Sequence, residues 1–223
     1  MTTPRRAIFR SFLFSVCMLV GAAQAATSAQ VAEFFRAVQT DDARTVKSML
    51  AGGFDANSLN PVGGEPALVL AAREGAMQVL DTLLAHPGTR IDTPAVNGNT
   101  ALMMAAFKHN MPAVQALLAK GAAVNRDGWT PLHYAAAGGD NEIARLLLKH
   151  GAKIDALSPR ASGAYTPLMM AAREGHDSTA LLLIDSGANP GLTNSEGLTP
   201  AQLAERAGKS QVAAAIAARA ARH

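Results

Sequence analysis

The chain has 223 residues, of which 49% are hydrophobic, 4% aromatic and 17% charged, with a single cysteine. Composition this apolar excludes a disordered polyampholyte, the low charge fraction excludes a long coiled coil, and one cysteine excludes a disulfide framework or a thiolate zinc site. The formal charge of +3 sits at one end. Arg5, Arg6 and Arg10 lie in the first 25 residues, which contain no acid, and without them the remaining basic residues equal the 17 acidic ones. No basic surplus is then left for nucleic acid, which is bound by exchanging counterions for Lys and Arg.

Those three arginines precede an uncharged apolar run from Ser11 to Ala23, and Ala23-Gln24-Ala25 closes it with Ala26 next. A basic start, a short apolar middle and an A-x-A end describe a secretory signal peptide over residues 1–25, cut between Ala25 and Ala26. The run is shorter than the roughly 20 residues a membrane-spanning helix needs, so no span is expected after cleavage. Cys17 would leave with the leader. A remainder without thiols suits an oxidising compartment, and the expected location is the periplasm or beyond the cell.

Residues 26–223 repeat themselves. Pro66-Ala67-Leu68-Val69-Leu70-Ala71-Ala72, Thr100-Ala101-Leu102-Met103-Met104-Ala105-Ala106, Thr130-Pro131-Leu132-His133-Tyr134-Ala135-Ala136 and Thr166-Pro167-Leu168-Met169-Met170-Ala171-Ala172 align, with a weaker copy from Thr199 to Ala204. Their third residues, 68, 102, 132, 168 and 201, are separated by 34, 30, 36 and 33. A leucine run follows each of the four strong copies (Leu83-Leu84, Leu117-Leu118, Leu146 to Leu148, Leu181 to Ile184), then a glycine, then Asp92, Asn125, Asp155 or Asn189. An earlier copy lacks the first motif but keeps Met49-Leu50, Gly53 and Asn57.

This pattern resembles the ankyrin repeat, with its period of about 33 residues and its T-P-L-H-x-A signature. Together with the N-terminal segment, it is similar to an exported bacterial ankyrin repeat protein. The resemblance implies an all-α solenoid of about six helix-turn-helix repeats joined by hairpin-like loops, at about 29–60, 61–95, 96–126, 127–160, 161–194 and 195–223. The residues give physical reasons for it. Thr130 can cap a helix and Pro131 sits where its missing N–H is harmless. Ala135-Ala136 let two helices approach closely. Gly121, Gly151 and Gly187 end second helices in a left-handed conformation. The short interval shortens the loop before Trp129, the long one lengthens the loop Ser158 to Ala164, and both should interrupt the row of loops. The last copy should end in an Ala/Arg helix from Val212 to Arg222, and the terminal copies are atypical, as caps must be.

A search for chemistry finds no phosphate loop, no zinc-protease helix and no nucleophile elbow. Five histidines (His86, His109, His133, His150, His176) fall at repeat positions without ligand spacing. Glu74 and Glu174 are two copies of one repeat slot, read as solvated helix ends. Met103-Met104 and Met169-Met170 raise an alternative, an accessory protein for small-ligand or soft-metal handling and redox protection, against plain core packing. The expectation is a non-enzymatic, monomeric module with no cofactor and no metal site.

The resemblance implies that inner helices and loop tips form a concave surface for a protein partner. The slot before each motif threonine holds Asn99, Trp129, Tyr165 and Leu198, and the slot after each alanine pair holds Arg73, Phe107, Ala137, Arg173 and Arg206. Candidate partner-binding residues are Arg73, Asn99, Phe107, Trp129, Tyr165 and Arg173, because Trp, Tyr and Arg dominate interfaces. Trp129 and Tyr165 are equally open to a second reading, in which they merely cover the short and the long loop.

Overall fold

A computed structural model describes residues 26–222; the expected leader and its cleavage after Ala25 lie outside the described residues. The described residues form twelve α-helices arranged in pairs: α1 (Ser28–Gln39) with α2 (Ala43–Ala51), α3 (Ala67–Glu74) with α4 (Met77–Ala85), α5 (Ala101–Phe107) with α6 (Met111–Ala119), α7 (Pro131–Gly138) with α8 (Asn141–Lys149), α9 (Pro167–Glu174) with α10 (Asp177–Asp185) and α11 (Pro200–Arg206) with α12 (Ser210–Ala220). The odd-numbered helices lie side by side in chain order, the even-numbered ones form a second row behind them, and the main contacts run within pairs and between neighbouring pairs. This is an all-α solenoid of six repeats, as expected.

Each first helix starts and stops for reasons visible in its residues. Thr100, Thr130, Thr166 and Thr199 are N-caps, and Pro131, Pro167 and Pro200 follow directly. Here a proline loses no hydrogen bond, because the first-turn N–H has no partner inside the helix. The alanine pairs 71–72, 105–106, 135–136 and 171–172 are fully buried. The carbonyls of Ala71, Ala105, Ala135 and Ala171 accept from the N–H of Ala76, Asn110, Asp140 and His176, five residues on. That common geometry confirms the register read from the motif.

Second helices end as predicted. The carbonyls of Leu117, Leu147 and Leu183 accept from Ala122, Ala152 and Ala188 around Gly121, Gly151 and Gly187, whose φ values of 84°, 83° and 98° favour glycine. Leu83, Leu117, Leu147 and Leu183 are the fully buried members of their runs. The last helix, Ser210–Ala220, begins two residues before the expected Val212 and stops two before Arg222.

The Asn and Asp residues after the glycines turn out to be rungs of a ladder. Asn57 Oδ1 accepts from Arg90 N at 2.8 Å, Asp92 Oδ1 from Ala123 N at 2.9 Å, Asn125 Oδ1 from Lys153 N at 2.8 Å, and Asp155 Oδ1 from Asn189 N at 3.1 Å. Each bond ties one repeat to the next. The short loop is bridged to its neighbour by a side chain, whereas the long loop, expected to interrupt the row as well, stays joined to the next one. Val96 N donates to Gly64 O, and Ser195 N to Gly163 O, joining neighbouring loop tips backbone to backbone. At the short loop before Trp129, the Arg126 side chain reaches across to Gly98 O at 2.7 Å. The long loop Ser158 to Ala164 takes up its extra length in a short 3-10 helix, Arg160–Ser162.

The first repeat departs furthest from the pattern. Asp41, with φ of 55°, and the bond from Asp42 N to Ala37 O match the ends of the other first helices. Counting back from there puts Phe34 in the slot of Leu102 and Phe35 in that of Met103. Helix α1 runs past the usual start to an N-cap at Thr27, where Gln30 and Thr27 cap each other. Phe34 stacks on Phe54 with centroids 4.3 Å apart, so an aromatic pair fills the end of the core.

Candidate partner-binding face

The fourth slot of the motif shows why unlike residues share one position. His133 Nδ1 accepts from Thr130 N at 3.1 Å, and His133 Nε2 donates to Tyr165 O at 2.9 Å, the next loop along. Met103 and Met169 place sulfur where that imidazole nitrogen lies and accept from Thr100 N at 3.4 Å and Thr166 N at 3.3 Å. Gln202 Oε1 does the same for Thr199 N at 2.9 Å. All of them satisfy an N–H that a helix start leaves unpaired. Burial pushes the His133 imidazole down to about 4, because charging it inside the stack would sacrifice solvation. Met103, Met104, Met169 and Met170 are at most 7% exposed, and α7 separates the two pairs. Their burial supports the packing reading over a shared thioether site. Among the described residues, no group of three or more His, Cys, Asp or Glu is placed to hold a metal ion.

On the first-helix side, three of the predicted residues meet. Phe107, Trp129 and Arg173 line a groove of about 290 Å³ together with Tyr134, Met170 and Glu174. Its floor is Ala137, the smallest occupant of the slot that holds Arg73, Phe107, Arg173 and Arg206 in other repeats. The Tyr134 ring stands edge-on to Phe107 (6.0 Å, 87°) and to Trp129 (6.3 Å, 62°), while Trp129 packs edge-on against His133 at 5.2 Å. The Tyr134 hydroxyl donates to Asn99 Oδ1 at 2.5 Å, so Asn99 fixes the ring from behind. Burial raises the Tyr134 phenol above its ordinary value. Phe107 is 49% exposed, a large apolar surface left in water beside an open groove.

The other two candidates stand apart. Tyr165 is 8% exposed and seated against Gly163, where an added Cβ would fall 2.3 Å from its ring. Its backbone N–H donates to Ser158 Oγ at 2.8 Å across the neck of the long loop, and the Arg173 guanidinium lies 5.1 Å from its ring centroid. The geometry of Tyr165 therefore fits the loop-covering reading. Arg73 lies two repeats away from Ala137 and is held by Glu65 at 2.8 Å and Glu74 at 2.9 Å. Glu174 holds Arg173 at 2.8 Å in the equivalent way. Thus the two glutamates, read from sequence as solvated helix ends, are half-exposed partners of arginine ion pairs. A larger groove of about 490 Å³ lies between α2 and α4 on the opposite row, lined by Lys47, Leu50, Asp81 and Pro87, and none of the candidates reaches it.

Tyr134 was absent from the residues singled out by sequence. The signal was a phenol in a slot that holds Leu70, Met104, Met170 and Leu203 in the other copies. A hydroxyl at an otherwise aliphatic position needs a partner, and here Asn99 supplies it.

Comparison with known proteins agrees with this architecture. The family model for ankyrin repeats in three copies matches residues 34–125 and 79–158, and the single ankyrin repeat model matches residues 165–195. The chain belongs to the ankyrin repeat family. Among its relatives is the human Ankyrin repeat and KH domain-containing protein 1, 41% identical over 107 residues, 47% of this chain and 4% of the relative. The human Transient receptor potential cation channel subfamily A member 1 is 30% identical over 163 residues, 68% of this chain and 14% of the relative. The chicken Nuclear factor NF-kappa-B p105 subunit is 32% identical over 169 residues, covering 73% and 17%. The chain thus spans a small part of each of these larger proteins. Ankyrin repeats are in general non-enzymatic protein-interaction modules, and this chain has their architecture. Among the described residues no helix is long and apolar enough to cross a membrane.

Proposed function

We propose that this chain is a non-enzymatic protein-binding module that acts outside the cytoplasm as a monomer and receives its partner on the groove over Ala137. The observation that carries the reading is the meeting of Phe107, Trp129, Tyr134 and Arg173 around that groove. Aromatic and arginine side chains at the centre of a concave surface are the groups that most often carry interface energy. Their rings are held in place before any partner arrives, by Asn99 on Tyr134 and by His133 beneath Trp129. Pre-ordered anchors lower the entropy cost of association. Action outside the cytoplasm rests on the basic, apolar and A-x-A sequence of residues 1–25, with release after Ala25.

The test is affinity capture from the envelope fraction of the source cells. Phe107→Ala with Trp129→Ala is compared with Arg145→Ala, an exposed side chain on α8. The double variant should retain about tenfold less of the partner or worse, and the Arg145 variant should match the wild type. Equal retention by the double variant contradicts the face assignment. Intact mass of the cellular protein tests the destination: a chain beginning at Ala26 is expected, and a chain retaining residues 1–25 contradicts export.

A further inference from the structure

The repeats carry an internal template for what belongs over Ala137. In the second and fifth, the residue before the first helix and the residue near its end come together. In the second repeat, Arg73 reaches back to Glu65 at 2.9 Å. In the fifth, Arg173 lies 5.1 Å over the Tyr165 ring. In the last, Arg206 bonds Glu196 of its own loop at 2.5 Å. Arg73 and Arg173 are each followed by a glutamate that holds the guanidinium, Glu74 and Glu174. The fourth repeat has the aromatic, Trp129, but reads Ala137-Gly138 where those repeats read Arg-Glu. Its aromatic has no arginine from that slot, Arg126 lying on its other side with Asn99 and Pro159, and the space such an arginine would fill is the groove.

Resting on the face assignment above, we infer that the groove takes an arginine side chain of the partner, which supplies in trans against Trp129 what Arg173 supplies in cis against Tyr165. Three properties of the groove favour that guest. Trp129, Tyr134 and Phe107 offer aromatic surface, and a planar guanidinium stacks on such surface better than a compact ammonium does. Glu174 stands on the rim with its side chain 42% exposed; Arg173 takes its Oε1, and its second carboxylate oxygen faces a guest. The one cation on the groove wall, Arg173, is already engaged by Glu174 and by the Tyr165 face. An acidic guest would bring a second carboxylate beside Glu174. A leucine would satisfy the apolar walls and give nothing to the second oxygen of Glu174.

The chain has one tryptophan, so its single indole N–H resonance reports the groove directly. The full chain is titrated with acetyl-Gly-Arg-Gly-amide and with the citrulline, leucine and glutamate analogues. A saturable shift is expected with the arginine peptide, about threefold tighter or more than with citrulline, which keeps the shape and loses the charge. Ala137→Arg should fill the groove in cis and abolish the response. Glu174→Gln should bring the arginine and citrulline peptides closer together. The inference is overturned if any analogue binds as tightly as the arginine peptide, if no peptide shifts the indole, or if folded Ala137→Arg protein still responds. Should Ala137→Arg not fold, an arginine preference unchanged in Glu174→Gln overturns it. If partner capture still fails in the Phe107→Ala, Trp129→Ala protein, only the arginine guest is lost; if capture is unaffected there, the face itself is wrong.

Discussion

The middle of the stack and its first repeat solve the same packing problem differently. Around α5, α7 and α9 the contact is made by fully buried alanine pairs and by buried threonine caps, Thr100, Thr130 and Thr166, each 5% exposed or less. Helices flanked on both sides have little room for side chains, and their end groups cannot rely on water. Among the described residues, α1 of the first repeat has a neighbouring repeat on one side only. Its N-cap, Thr27, is exposed, and bulk comes from Phe34 and Phe54 rather than from close approach. Burial of the threonine cap is therefore a property of these interior joints, and the last repeat keeps Thr199-Pro200 with its cap hydrogen bond exposed. In the first repeat the signature lapses and an aromatic pair takes its place.

This contrast can be broken most sharply at the alanines. Ala171→Glu would place a charge between α9 and its neighbours, where the alanine is fully buried. We expect a loss of about 4 kcal/mol or more in chemical denaturation. An unchanged midpoint would contradict the close-approach account. Phe34→Ala should cost about 3 kcal/mol by emptying the end of the core. Its effect should stay local: amide protection should fall in α1 and α2 while α5 to α9 keep theirs, as expected where coupling runs between nearest neighbours. Uniform loss of protection along the chain would deny the distinction between the two regions.

His133 has an ordinary value of 6.5 and titrates at about 4 in the stack. In the unfolded chain it takes up a proton below 6.5, while the folded chain resists until about 4. Stability should therefore be full above 6.5 and fall as pH drops through that window, by about 3 kcal/mol at most. His133→Gln should flatten this part of the profile, because Gln202 shows that an amide oxygen can cap the same N–H. A profile of the same depth in the glutamine variant would remove His133 as its cause.

Much of the fold was legible because repetition averages out local ambiguity. The spacing of Leu68, Leu102, Leu132 and Leu168 located first helices, and Gly121, Gly151 and Gly187 located the ends of second helices. The ladder of Asn57, Asp92, Asn125 and Asp155 was visible as a pattern, but its role was not, since each bond joins residues about one repeat apart. The site was only partly legible. Trp129, Phe107 and Arg173 could be chosen from their slots. Tyr134 could not, because its slot elsewhere is aliphatic, and Tyr165 shares the slot of Trp129 yet is tucked beneath a longer loop. Whether a side chain at a given slot faces a groove or a loop depends on the length of the loop beside it. Nor could composition show methionine sulfur standing in for imidazole at a helix cap.

The measurement that bears most directly on the account is amide hydrogen exchange of the full chain, alone and with its captured partner. The partner should slow exchange around Phe107, from Trp129 to Ala137 and around Arg173, leaving the outer helices α4, α6 and α8 unchanged. Slowing confined to those outer helices would place the partner on the opposite side of the stack and contradict the account.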